Sequence, residues 1–320
     1  MRITNNNLQK TDAMRAKPFL KWAGGKGQLL TQFEQLYPRA LHKRQITKYV
    51  EPFIGGGAVF FDLMQRFNFK KAYISDINVD LISTYQVVQN SVETLIHALR
   101  DYQNTYNQLD EEKRLALFLH VREQFNQRHL GNSSPIDIAS QLIFLNKTCF
   151  NGLFRLNSKG GFNVPFGKYT NPAILQEANL RLVSKVLQNV EIKAANYDAC
   201  FDKIDANTLV YFDPPYRPLS KTASFTSYAG NEFGDKEQKQ LAVFFKRLHK
   251  EKNAKVMLSN SDPKNENILD DFFENIYQDF DIHRVQANRA INSNADKRGE
   301  INEIFVTNYQ VESALLQLNF

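Results

Sequence analysis

The sequence predicts an α/β fold, a Rossmann-like, doubly wound sheet of about seven strands with a mainly helical insertion that carries a β-hairpin. Three observations predict it. A strand at residues 45–50 runs into Glu51-Pro52-Phe53-Ile54-Gly55-Gly56-Gly57 and a helical run over 58–67, the strand, glycine loop and helix with which nucleotide-type α/β folds begin. A second strand, 71–75, ends at Asp76, 19 residues beyond Gly57, where an acidic side chain is placed to accept hydrogen bonds from ribose hydroxyls. The apolar run Leu209-Val210-Tyr211-Phe212 reads as a buried strand cut short by Asp213-Pro214-Pro215-Tyr216. Asp213 therefore falls at a carboxyl end, the edge at which open α/β sheets bind ligands.

Composition narrows the class. With 320 residues, 42% hydrophobic and 23% charged, the chain can bury a large core, and no long stretch is expected to be disordered. No run reaches the length of a membrane span, and Met1 to Lys10 are polar without an apolar signal core, so a cytoplasmic protein is expected. Cys149 and Cys200 make neither a disulfide framework nor a metal cluster, and none of the six histidines falls into a metal spacing; no metal is expected. Forty Lys and Arg against 34 Asp and Glu leave a charge of +6, which suits a polyanionic partner and equally a solvated surface.

Taken in order, the segment from Pro18 to Gly27 is dense in glycine and lysine but is no phosphate loop, because residue 20 is Leu and Lys26 is followed by Gly27. Trp22 alone reads better as a core tryptophan of an anchored amino-terminal arm. The loop at 51–57 lacks the dinucleotide fingerprint, since Phe60 stands in the place of its third glycine, which favours a ligand without pyrophosphate. Asp76 can also cap the helix that follows. Apolar residues from Leu81 to Leu99 recur at helical spacing and form core, and 101–133 read as a polar helical subdomain. Residues 153–157 and 162–166 flank Ser158-Lys159-Gly160-Gly161, a hairpin with a four-residue loop. Such a ribbon can enter the major groove, with Asn151, Arg155 and Lys159 offering groups to bases and phosphates, although on spacing alone a solvated hairpin is the commoner explanation. Residues 217–235 form a long Ser/Thr/Gly-rich loop read as a lid, followed by an amphipathic helix at 236–250. Further strands near 191, 255, 281 and 303 bring the expected total to seven. The catalytic domain is expected over 1–80 and 190–320, with the inserted recognition domain over 81–189.

The chemistry concentrates at Asp213. Pro214 forces it into an extended conformation, and neither proline can donate a backbone hydrogen bond, so the arm is stiff and rich in acceptors. A carboxylate and a free carbonyl beside an aromatic face suit a planar substrate bearing an amino group, as adenine does. Asp213 and the Pro214 carbonyl would each accept one amino proton, and Tyr216 would stack on the base. The plainer alternative is a turn with a capping Asp.

These residues also carry a resemblance. Asp213-Pro214-Pro215-Tyr216, the pattern F-x-K-W-x-G-G-K from Phe19 to Lys26, and F-N-G-L-x-R and F-N-V-P-F-G within 146–169 resemble motifs of the DNA adenine methyltransferase (Dam) family. The likeness runs from about Phe19 to Tyr309 and is strongest to the DpnII-type and MboI-type modification enzymes. It implies the methyltransferase variant of the doubly wound sheet, S-adenosylmethionine as donor, and methylation of the exocyclic N6 amine of adenine in double-stranded GATC, with the base flipped out. It further implies donor contacts at Trp22, Lys26, Glu51, Phe53, Gly55, Gly57, Asp76 and Asp213, and catalytic roles for Asp213, Pro214 and Tyr216. DNA contacts are implied at Lys21, Asn151, Leu153, Arg155 and Pro165. A restriction-modification role is expected; the alternatives are an orphan regulatory methylase or an amino-methyltransferase for another base or sequence. A nicotinamide oxidoreductase is disfavoured by the broken glycine fingerprint, and a non-catalytic DNA-binding regulator has no use for Asp213 and Tyr216 together.

Overall fold

The strands lie at the seven places expected. The computed structural model describes residues 14–131, 133–217, 233–288 and 300–311; most of the expected lid, 218–232, lies outside the described residues. Strands β1 (Lys48–Pro52), β2 (Lys71–Asp76), β3 (Val190–Ala194), β4 (Thr208–Phe212) and β5 (Lys255–Ser261) run parallel. With β6 (Asp281–Asn288) and β7 (Glu300–Thr307) they form one sheet in the order β3-β2-β1-β4-β5-β7-β6, in which β7 is antiparallel to both neighbours.

Alternation along the central strands sets the layers. In β4, Leu209 and Tyr211 enter one apolar core while Val210 and Phe212 enter another, and all four are fully buried. A strand buried on both faces needs cover on both. On the first face lie α1 (Leu30–Glu34), α2 (Arg39–His42), α3 (Ala58–Arg66) and α4 (Val79–Asn90), with Phe33, Leu41, Phe60 and Leu81 in its core. Three further helices, α5 (Val92–Gln108), α6 (Glu111–Asn126) and α7 (Pro135–Thr148), extend that core away from the sheet, and α8 (Glu177–Leu187) leads back to β3. The second face is covered by a 3-10 stretch at Tyr197–Lys203 and by α9 (Asp235–Arg247) and α10 (Phe272–Ile276). No described helix is long and apolar enough to cross a membrane.

Local chemistry starts several of these helices. Asn78 caps α4 by accepting from Leu81 N at 3.0 Å, and Asp110 caps α6 through Lys113 N at 2.9 Å. Ser134 and Asp137 form a capping box on α7, whose first residue is Pro135. From Ala139 to Thr148 nearly every residue of α7 is buried, with α4, α5 and α6 each against it.

The hairpin is sparser than a continuous ribbon. Its strands meet only at isolated bridges, Leu156 with Phe162 and Cys149 with Phe166. Side chains replace the missing ladder. Asn126 accepts from Phe162 N at 2.7 Å and donates to Phe162 O at 3.3 Å. Buried Arg128 donates to Gly160 O at 3.3 Å while gripping Asp80 through two bonds of 2.8 and 2.7 Å. The loop is thus tied to the start of α4.

Candidate active site and nucleic-acid interface

Strand order makes the cleft. From β1 the chain moves outward to β2 and β3, then returns to β4 on the other side of β1, so β1 and β4 flank a topological switch point. Asp213 follows the end of β4 and Asp76 closes β2, on the same edge of the sheet.

The glycine loop hugs its neighbours. Gly55 has φ +46°, and a Cβ there would lie 2.8 Å from Trp22 Cδ1; Gly57, at φ +71°, would drive one to 2.8 Å from the Tyr85 hydroxyl. Gly55 therefore admits Trp22, whereas Gly57 serves the entry into α3. Phe53 holds φ 86°, rare for a residue with a side chain, and its ring stacks on Tyr197 with centroids 5.5 Å apart. Asp76 accepts from Gly55 N at 3.2 Å and Asn78 N at 3.0 Å. Burial pushes its carboxyl above the ordinary value, against the pull of those N–H groups. Since Asn78 caps α4, Asp76 ties the β2 edge to the glycine loop instead.

Lys26 is the hub of the catalytic candidates. Its ammonium, 2% exposed, lies 2.6 Å from Asp213 Oδ1, 2.7 Å from Gly24 O, 4.0 Å from Glu303 Oε2 and 4.8 Å from the centre of the Tyr216 ring. Ser259 donates to the same Oδ1 at 3.1 Å, and its Oγ meets the Tyr211 hydroxyl at 2.6 Å. Burial raises the Asp213 pKa, while Lys26 and Ser259 oppose the shift. Glu51 is enclosed, accepting from the Tyr49 hydroxyl at 2.5 Å, and burial holds its carboxyl well above the usual range. The Tyr216 hydroxyl and Glu303 Oε2 are buried without a hydrogen-bond partner among the described residues. They sense each other electrostatically, but no bond of good geometry joins them. Burial raises both pKa values.

The expected DNA-contacting side chains share one surface. Leu153, Arg155 and Pro165 point outward while Phe154, Phe162 and Val164 pack inward. Asn151 adopts φ 57° and donates its N–H to the Tyr169 hydroxyl at 3.0 Å. The Arg155 guanidinium is steadied by Asn163 Oδ1 at 2.8 Å. Lys21 is exposed beside them, its ammonium 5.9 Å from the Tyr169 ring centre. Two groups thus form: Lys26, Asp213 and Tyr216 at the cleft, and Lys21 with the ribbon residues outside it. Trp22 joins the two by stacking on Phe154 at 5.2 Å while packing against Gly55.

Sequence reasoning overlooked Ser259 and Glu303. The polar triplet Ser259-Asn260-Ser261 closing an apolar strand was a usable signal; Glu303, inside a strand pattern, offered none.

A doubly wound sheet with one antiparallel strand, β7, set between β5 and β6, and a carboxylate at its switch point is the architecture of a Rossmann-like methyltransferase. More narrowly, the chain belongs to the D12 class of N6 adenine-specific DNA methyltransferases, whose family model matches residues 22–291. It is 49% identical to the type II methyltransferase M.MjaIII of Methanocaldococcus jannaschii, over 92% of this chain and 100% of that one. The type II methyltransferase M1.LlaDCHI of Lactococcus lactis is 36% identical over 95% of this chain and 99% of its own. A DNA adenine methylase of Escherichia coli is 33% identical over 90% and 94%. The protein is an adenine N6 DNA methyltransferase.

Proposed function

We propose that this enzyme methylates adenine N6 within double-stranded GATC, with S-adenosylmethionine as donor, as the modification partner in a restriction-modification system. One observation carries the mechanism: Lys26 and Ser259 both engage Asp213 Oδ1, so Oδ2 is the oxygen left to accept a proton from a substrate amine. The Pro214 carbonyl accepts the second amino proton, which favours a pyramidal nitrogen with its lone pair aimed away from both acceptors. Tyr216 offers its face to the flipped base, and Asp213 receives the proton that the methylated nitrogen must shed.

The cleft fits such a donor. The close main chain at Gly55 and the Asp76 carboxylate suit a ribose, the Phe53 ring suits an adenine moiety, and the Tyr216 hydroxyl and Glu303 Oε2, without hydrogen-bond partners among the described residues, offer polar contacts. Trp22, Lys26, Glu51 and Gly57 complete or support that wall. When bound, S-adenosylmethionine supplies an electrophilic methyl group. We assign catalysis to 1–80 and 190–320 and target recognition to 81–189, where Asn151, Leu153, Arg155 and Pro165, with Lys21, read or position the duplex. The GATC reading is supported by the family resemblance of 146–169, and the modification role by two relatives named type II methyltransferases.

The test is to methylate DNA of mixed sequence and ask which digests become blocked. Protection at GATC alone is expected; protection elsewhere overturns the specificity and leaves the chemistry standing. Asp213→Ala should abolish turnover while duplex binding survives, because the carboxylate acts mainly in the transition state. Near-normal turnover would remove Asp213 from the mechanism.

A further inference from the structure

We infer that Asn146 is a specificity-determining positioning residue, whose amide locks the Lys21-Trp22 arm to the turn at 150–154 so that target readout and cleft organisation change together. The inference rests on the proposed reading of 146–169 as the recognition element.

Asn146 lies near the end of α7 and is fully buried. Its Oδ1 accepts from Lys21 N at 2.9 Å, and its Nδ2 donates to Lys21 O at 2.9 Å and to Gly152 O at 2.8 Å. Both amide protons are used. Pairing with the N–H and C=O of one residue imitates a β-bridge, which needs a donor and an acceptor side by side. An amide has them; a carboxylate of the same size lacks the donor. Asn146 thus binds two segments that are distant in sequence and makes no outward contact of its own.

What it holds reaches in both directions. Toward the outer surface, the stem of Lys21 lies across Gly152, where a Cβ would fall 2.4 Å from Lys21 Cδ. The Tyr169 ring near the Lys21 ammonium carries the hydroxyl that receives Asn151 N–H. Lys21, Asn151 and Leu153 are therefore set relative to one another through a single amide. Toward the cleft, Trp22 packs between Phe154 and the glycine loop, and Lys26, four residues on, grips Asp213. A shift of the turn on binding the wrong sequence is passed along this arm to the carboxylate.

The experiment compares wild type, Asn146→Asp and Gly152→Ala. The first keeps the size but removes both protons; the second leaves the amide intact and wedges a Cβ against Lys21. The cognate duplex is whichever sequence the wild type methylates from a mixed pool, so a preference other than GATC overturns that reading without touching this one. Single-turnover rates are measured on the cognate duplex and on duplexes with one base pair replaced, alongside calorimetric titration of S-adenosylmethionine without DNA. Both variants should lose about 10- to 100-fold in cognate rate, as sub-ångström misplacement does. The ratio of cognate to substituted rates should fall by a similar factor, with the donor Kd moving less than about threefold. A wild-type ratio in either folded variant, even with a slower rate or a lower Tm, overturns the inference, as does a loss of donor affinity equal to the loss of rate. If Asn146→Asp does not fold, Gly152→Ala decides the question by the same ratio.

Discussion

Replacing Ser259 by alanine separates two tasks that one hydroxyl performs. It donates to Asp213 at 3.1 Å, so Tyr211, 2.6 Å away, must be the donor to it, and the chain runs from Tyr211 through Ser259 to Asp213. Removing the hydroxyl takes from the ionised carboxylate a hydrogen bond worth about 1.5 to 3 kcal/mol, and the 3.1 Å length favours the lower end. At about 1.36 kcal/mol per pH unit, the Asp213 pKa should climb roughly one further unit above the value burial already gives it. In the proposed mechanism turnover needs the carboxylate ionised. The acid limb of the single-turnover rate should therefore move about one unit toward neutral pH. Separately, the Tyr211 hydroxyl loses its partner in a fully buried site, which costs about 1 to 3 kcal/mol of stability. Adding Tyr211→Phe removes the orphan, so the double variant should recover stability while its acid limb stays displaced. An acid limb at the wild-type position in Ser259→Ala, with Tm lowered, would refute the reasoning, because Ser259 would then be packing and nothing more.

Asp76→Ala should weaken donor binding by the roughly 1.5 to 3 kcal/mol of an ionised acceptor, read by calorimetry; an unchanged Kd would leave Asp76 as a tie to the glycine loop only. Arg155→Ala should lose about 1 to 3 kcal/mol of discrimination at a guanine of the target. An equal slowing on every duplex, with a salt dependence shallower by about one contact, would instead make it a phosphate ligand. Glu303→Gln tests linkage. Burial raises the folded pKa of Glu303, so its contribution to stability is present at low pH and is lost as pH rises through that raised value. The variant should then melt above wild type near about pH 8 and converge with it below the ordinary carboxyl value of 4.5. A lower Tm near neutral pH would mean that the Lys26 ion pair outweighs the burial cost.

Much of this protein is written locally. Pro214 and Pro215 dictate the extended, donor-free arm at Asp213 whatever surrounds them, and Gly55 and Gly57 adopt the positive φ that their loop requires. Leu209 to Phe212 carry enough apolar character to mark a strand buried on both faces, and the helix starts at Asn78, Asp110 and Ser134 are caps with side-chain acceptors in place. Each of these signals acts within a few residues of itself. The rest depended on which distant strand or loop came alongside. Glu303 reaches the cleft only because β7 runs antiparallel and pairs it with Ser261, which turns the start of β7 toward the edge where the parallel strands end. Ser259 meets Tyr211 only through the β4 and β5 register, in which Tyr211 pairs with Met257. The ribbon at 146–169 reads locally as a hairpin, yet Asn126 and Arg128 supply its missing ladder, and Asn146, near the end of α7, binds its turn to Lys21. A polar side chain inside an apolar helix or strand has no local mark of its partner, since the free energy of burying it is settled by whichever groups the tertiary fold brings within hydrogen-bonding reach.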